Sequence, residues 1–331
     1  MPLDMPVLLA KIASARSDLL WSVAGLDEAA LASLSADGRR TFKDILAHVA
    51  SWETWTAEHL RMVAAGRSAE LPRTSTDSEN LRVLAERWDW PVCRVLAELT
   101  NAHAVLVYQA ERWTAEAPWP AGEGRLDARY LAPWPAPDGR PGGTVRPARW
   151  LEMSREHDVR HAAEITAWRQ AAGRSAHGSG PGCLLVAALE ASREELLAWA
   201  GLLDEPARPV CGVWTVRDVL GHVADWDTYM AKALGQMAAG QLGGDEYDDL
   251  ESWNTSHASA RQGQSGEQVT ADLAASRAGV LAALAPLSDP ALCAPAASRW
   301  NAEDSAYGMA HVSLEHDRDH ARGLREAVGR G

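Results

Sequence analysis

The chain has 331 residues, a net charge of −13, and 15 Trp against a single Phe. At roughly 150 residues per domain this length suggests two domains, and abundant Ala, Leu, Glu and Arg with few β-branched residues favour helix. An acidic surface without a basic cluster argues against nucleic acid as a direct partner. No apolar run approaches the ~18 residues that read as a membrane span. The N-terminal MPLDMPVLLAKIASARSD lacks a basic start followed by a long apolar core, so no signal peptide is expected. The four cysteines form no C-x-x-C and read as small buried thiols of a cytoplasmic protein.

In chain order, apolar residues at three- and four-residue spacing predict a helix near 6–24 and another near 41–65, opened by Thr41 and stopped at Gly66. A shorter piece near 77–89 precedes a helix near 91–113 that has Pro91 in its first turn. A helix near 147–172 ends at Gly173. GRSAHGSGPG (173–182) has linker composition. Helices near 182–201, 215–239, 266–285 and 303–328 follow, and no segment alternates as a strand. The expected fold is all-α, with two four-helix bundles in tandem at 1–174 and 182–331.

An internal repeat supports that division. TFKDILAHVASWETWTAEHLRMVAAG (41–66) aligns without a gap with TVRDVLGHVADWDTYMAKALGQMAAG (215–240). His48 falls on His222, Asp44 on Asp218 and Trp52 on Trp226. EHDVRH (156–161) matches EHDRDH (315–320), and ASARSDLLW (13–21) loosely matches ASREELLAW (191–199). The first half carries 15 extra residues within 117–150, a Pro/Gly-rich stretch with Trp119 and Trp134 each set in a Pro-Trp-Pro triplet. A loop of that kind is expected to pack as a lid or pocket wall near the first site.

The histidines carry the chemistry. His157 and His161 stand one helical turn apart, as do His316 and His320, so each pair can grip one ion from a single helix. His48 and His222 lie within apolar helical stretches, where a facing helix supplies a third ligand. Three histidines leaving a coordination position open describe a catalytic divalent-metal site better than a closed structural one. Zinc stands first, with nickel, iron and cobalt also accepting three imidazoles. Asp44 and Asp218, one turn earlier, either orient imidazole as acceptors or serve as first-turn acids favoured by the helix dipole. Glu156 and Glu315 point away from the His pairs and are expected in surface salt bridges. His59, His103, His177, His257 and His311 find no histidine at the matching position and are left out. The indoles either do the core work of Phe or wall a pocket, with Trp52, Trp119, Trp134 and Trp226 as the candidate substrate-binding residues.

LAHVASWE with EHDVRH, and LGHVADWD with EHDRDH, resemble the DinB-like superfamily of four-helix bundles. This superfamily includes mycothiol-dependent maleylpyruvate isomerase and bacillithiol transferases. The resemblance implies one divalent metal ion held by His48, His157 and His161, and a second by His222, His316 and His320. One branch is similar to self-resistance proteins that disarm electrophilic natural products. The expectation is therefore a cytoplasmic, metal-dependent enzyme that modifies or detoxifies an electrophilic small molecule. The nucleophile is a metal-activated low-molecular-weight thiol, mycothiol-like, or water. Such a protein is a monomer or homodimer with no membrane partner, and its first half is the more active because the insert can close over substrate. The alternative is a binding protein that sequesters a planar hydrophobic compound between indoles without turnover.

Overall fold

The computed structural model describes residues 4–33, 38, 40–65, 67, 76–116, 126–127, 144–145, 147–174, 179–203, 208–247, 249–302 and 304–329. The fold is all-α and divides into two compact units: Met1–Val23 with Ala29–Gly173, and Ala24–Glu28 with Arg174–Gly331. The short Ala24–Glu28 segment thus groups with the second unit, which the linker composition alone does not reveal.

The first unit contains α1 (Met5–Val23), α2 (Phe42–Ala64), α3 (Thr76–Arg87), α4 (Val92–Glu116) and α5 (Pro147–Ala171). The second contains α6 (Gly182–Ala200), α7 (Val216–Ala238), α8 (Leu250–Ala260), α9 (Gly266–Leu284) and α10 (Ala306–Gly329). The sequence pattern locates all of these within about three residues except α8, a polar helix with no buried residue, which leaves no apolar period to read. Gly66 lies outside the described residues, and α2 closes at Ala65. Two short antiparallel ribbons appear where no strand was expected. Leu126–Asp127 pairs with Thr144–Val145, and Pro209–Cys211 with Trp214–Thr215. Among the described residues no helix is long and apolar enough to cross a membrane. The cysteines are not buried as expected: Cys93 and Cys211 are exposed, and Cys183 and Cys293 half-buried.

Both metal-candidate helices start on a reciprocal cap. In α2 the Thr41 hydroxyl accepts from the Asp44 amide while the Asp44 carboxylate accepts from the Thr41 amide at 3.0 Å. Thr215 and Asp218 repeat this in α7. Such a box satisfies two of the amide donors that every helix start leaves open. It fixes where each helix begins, and hence which face His48 and His222 occupy.

The packing pairs also correspond. α2 lies along α4 and α1 along α5, as α7 lies along α9 and α6 along α10. Apolar side chains fill the space between them, with Leu19, Ile45, Leu106 and Ile165 fully buried in the first unit and Leu189, Val223, Val280 and Leu314 in the second. Each such side chain contributes about 1.5–3 kcal/mol by leaving water.

At the centre of each core sits a charge cluster with one member from each long helix. In the first unit Arg16 of α1 reaches Glu53 of α2 at 2.6 Å and Asp158 of α5 at 3.0 Å, and His103 of α4 meets Glu53 at 3.0 Å. In the second, Arg193 of α6 binds Asp227 of α7 at 2.8 Å and Asp317 of α10 at 3.0 Å. Arg277 of α9 binds the same two aspartates at 3.0 and 2.7 Å. All eight residues are buried. Arg16 and Arg193 are therefore equivalent, which shifts the loose match of the first helices by one residue.

The clusters differ in charge balance. Two guanidiniums face two carboxylates in the second unit. In the first, a histidine stands in for one guanidinium, and burial pushes the Asp158 carboxyl up to about 7. Removing one partner from a balanced buried cluster strands the others, at about 3–5 kcal/mol. Asp317→Asn is expected to destabilise the second unit by that amount in urea denaturation followed by hydrogen exchange. Asp158→Asn is expected to cost less, because the amide resembles a carboxyl that is already partly protonated. Equal costs would contradict the difference in balance.

Candidate metal centre

α2 and α5 bring His48, His157 and His161 together in the first unit, all buried. The His157 Nε2 atom lies 2.9 Å from His48 Nε2 and 3.2 Å from His161 Nε2. α7 and α10 do the same for His222, His316 and His320, with His316 Nε2 at 3.0 Å from each of the other two. Within each set the candidate donor atoms lie within 4.8 Å of one another, and these are the two such groups found among the described residues.

Burial holds the imidazoles neutral. It is the largest cause of the lowered basicity of His48 and His157, aided by the charge of Arg40 and by neighbouring imidazoles. His161 is brought down to about 4, and His222 and His316 to about 3, again mainly by burial. Neutral imidazoles keep the lone pairs that a metal needs.

The donor set fits a divalent ion. His161 Nδ1 sits 3.1 Å from the Glu164 carboxylate, so its proton is held on Nδ1 and the Nε2 lone pair faces the other two rings. Three such nitrogens converging in a desolvated site suit the borderline cations named above. Glu164 is the partner the sequence reading missed, one turn beyond the H-x-x-x-H pair. Gly323 occupies the matching place in the second unit.

Asp44 and Asp218 are placed differently from the orienting role considered for them. Their carboxylates are hydrogen-bonded to the helix starts, the dipole-favoured alternative. Glu156 forms the expected surface pair, with Arg149 at 2.7 and 3.0 Å. Glu315 lies 3.9 Å from His311 Nδ1 and also lines a pocket beside His316.

The indoles divide between core and site. In the first unit Trp52 is edge-on to His48 and donates to Asn80 Oδ1 at 3.0 Å. Trp55 stacks on Trp150 at 4.5 Å, and both line a small recess of about 30 Å³ that reaches His157. In the second, Trp226 donates to Asn254 Oδ1 at 3.1 Å. Trp226, Tyr247 and Trp300 line a pocket of about 500 Å³ that opens onto His222 and His316. The remaining lining includes apolar Met230 and Leu250 and the buried hydroxyl of Ser313. Trp119 and Trp134 lie outside the described residues.

The two asparagines were legible in principle. Each follows its tryptophan by 28 residues, so carrying the gap-free register past Gly66 and Gly240 aligns Asn80 with Asn254. The same register aligns His103 with Arg277, a match of charge type that a search for paired histidines passes over.

A four-helix bundle with three inward imidazoles from its second and last helices defines the class of domain. Residues 185–323 match the DinB superfamily, and this part of the chain belongs to it. The superfamily fits metal-dependent enzymes. No curated protein and no solved structure matches the chain.

A carboxylate that orients a ligand imidazole is typically worth about 10- to 100-fold in metal affinity. Glu164→Gln is expected to weaken zinc binding by the first set by that factor in chelator competition, with the second set unchanged. An unchanged first set would assign Glu164 a purely structural role.

Proposed function

We propose that each histidine set holds one divalent ion, zinc first, and that the chain is a metal-dependent enzyme acting on an electrophilic small molecule. The first unit is read as a second DinB-like domain, with boundaries near 1–174 and 182–331. The observation that carries the enzymatic reading is the aromatic-walled pocket opening directly onto His222 and His316. A volume of about 500 Å³ with a few convergent polar groups is of small-molecule size. Because the larger pocket among the described residues lies in the second unit, activity is assigned there and not to the first half.

A divalent ion in this donor set supplies Lewis acidity, which turns a thiol or a water into a nucleophile at neutral pH. The chain's own groups do the rest. Trp226 and Trp300 hold a flat apolar group, the apolar lining limits bulk water, and Ser313 offers a hydroxyl to a polar substituent. The nucleophile attacks the held electrophile and the leaving group departs through the mouth. A thiol-transferring, detoxifying or self-resistance role in the cytoplasm accommodates this chemistry, with a mycothiol-like thiol as co-substrate. The aromatic box formed by Trp226, Tyr229, Trp253 and Trp300 favours sequestration of a planar compound as the second reading.

Elemental analysis of untagged protein is expected to give two divalent ions per chain, and one after His316→Ala. Zinc-loaded protein incubated with candidate electrophiles, with and without a low-molecular-weight thiol, is expected to yield product by mass spectrometry. His316→Ala should lower that rate by at least ~100-fold, while His157→Ala leaves it largely intact. Tight binding without product in either condition selects sequestration.

A further inference from the structure

Taking the second unit's pocket as the ligand site, we infer that it selects a cationic ligand: a planar or aromatic group bearing a quaternary or protonated amine. Trp226, Tyr247 and Trp300 would hold it, with Glu315 and Asp319 facing the charge.

The sign of the lining comes first. Glu315 and Asp319 both line the pocket, and among the described residues no Lys or Arg does. They stand one turn apart on α10, beside the row that carries His316 and His320. Asp319 also reaches Arg322 at 3.1 Å, on the solvent side. The two histidines of the lining are the candidate metal ligands, so the charged side chains the chain itself turns to the pocket are these two carboxylates. With no ion on the histidines, an anionic substituent meets like charge at this mouth.

The aromatic walls have the matching preference. Trp300 Nε1 donates to the Tyr247 hydroxyl at 2.9 Å, and the Trp300 ring stacks on Tyr229 at 5.5 Å with 13° between planes. Trp226 is fixed by its bond to Asn254. Trp226 and Trp300 both line the pocket with ring centroids 5.9 Å apart, and the π faces of such rings attract cations. Trp300 remains 38% exposed, so part of this wall is open to an arriving ligand.

The third observation is Ser313. Ser313 is 2% exposed and lines the pocket, and its hydroxyl has no hydrogen-bond partner among the described residues. An unpaired buried hydroxyl costs free energy that a ligand group can recover. Among the described residues no carboxylate lines the first unit's recess.

The test uses the full chain and three probes: benzyltrimethylammonium, its uncharged isostere neopentylbenzene, and benzenesulfonate. A quaternary ammonium has no lone pair for a metal, so binding reads the walls and carboxylates alone. Titrations followed by Trp fluorescence and calorimetry are run on zinc-loaded and chelator-treated protein. The ammonium is expected to bind about tenfold more tightly than the isostere, with the sulfonate weakest. Glu315→Gln with Asp319→Asn should bring ammonium and isostere close to parity while leaving the isostere's affinity unchanged. Should that variant misfold, raising salt to ~1 M on the native chain must erode the preference. An isostere or sulfonate that binds as well as the ammonium overturns the proposal. So does a preference indifferent to both the charge removal and salt. Zinc content and thiol-dependent turnover are measured on the same samples. A chain without zinc or turnover sinks the enzymatic reading and leaves the charge selectivity to be judged on the probes.

Discussion

The charge cluster at the centre of each bundle is the constraint from which the metal geometry follows. Each of the four long helices contributes one buried charge, and the two acids sit on the helices that carry the histidines. Asp158 follows His157 directly and Asp317 follows His316, while Glu53 and Asp227 lie five residues beyond His48 and His222. Consecutive helical residues point about 100° apart. Tying Asp317 to Arg193 and Arg277 therefore sets the rotation of α10, and with it the direction of His316 and His320. Asp227 sets α7 through the same two arginines. Buried ion pairs seldom add much net stability, because desolvation consumes the Coulombic gain. Their strength lies in disfavouring the wrong rotation: a helix turned by one residue would bury a carboxylate with no partner. An apolar core made of Ala, Leu and Val tolerates such slips far better.

Built on similar frames, the two units differ where the frame does not constrain them. Arg277 is replaced by His103, so the first cluster holds its protons less definitely. Glu164 steadies His161, whereas Gly323 leaves His320 without that support. In the pocket wall Trp55 corresponds to Tyr229, and Trp150 to Met309. The first unit fills the space before its histidines with stacked indoles, and the second spreads its aromatics around an open volume. One unit has the better-buttressed ligand set and the other the roomier approach. This is the division expected if metal retention and substrate handling were selected unequally in the two halves.

Much of this was legible in the sequence, for identifiable reasons. Long helices announce themselves through apolar spacing, and the H-x-x-x-H pairs through one-turn geometry, both local properties of the chain. Recurrence of the His48 and His222 stretches supplied the non-local link, since two copies of one motif point to one shared environment. What stayed hidden depends on partners distant in sequence. Asp158 and Asp317 draw no role from the motif that contains them, because nothing local shows that Arg16 or Arg193 reaches them. α8 carries no apolar face, so its position is set by what Asn254 and Trp253 touch and not by its own period. Asp44 and Asp218 admit two readings in sequence, and the nearer demand of the helix start claims their carboxylates.

The same burial serves and strains the site. Removing water from three imidazoles keeps them unprotonated and leaves their lone pairs free, which is the condition for binding a cation. It also crowds three nitrogens together, the middle one about 3 Å from each of the other two in both sets. An ion that binds the folded site and not the unfolded chain returns that cost as stability, in proportion to the logarithm of its concentration over Kd. The charge cluster holds the histidine helices in place whether or not an ion is bound. The bundle can therefore keep its histidines converged without rearrangement. Preorganisation by buried charge beneath the histidines, and access through an aromatic mouth above them, are the two halves of one arrangement.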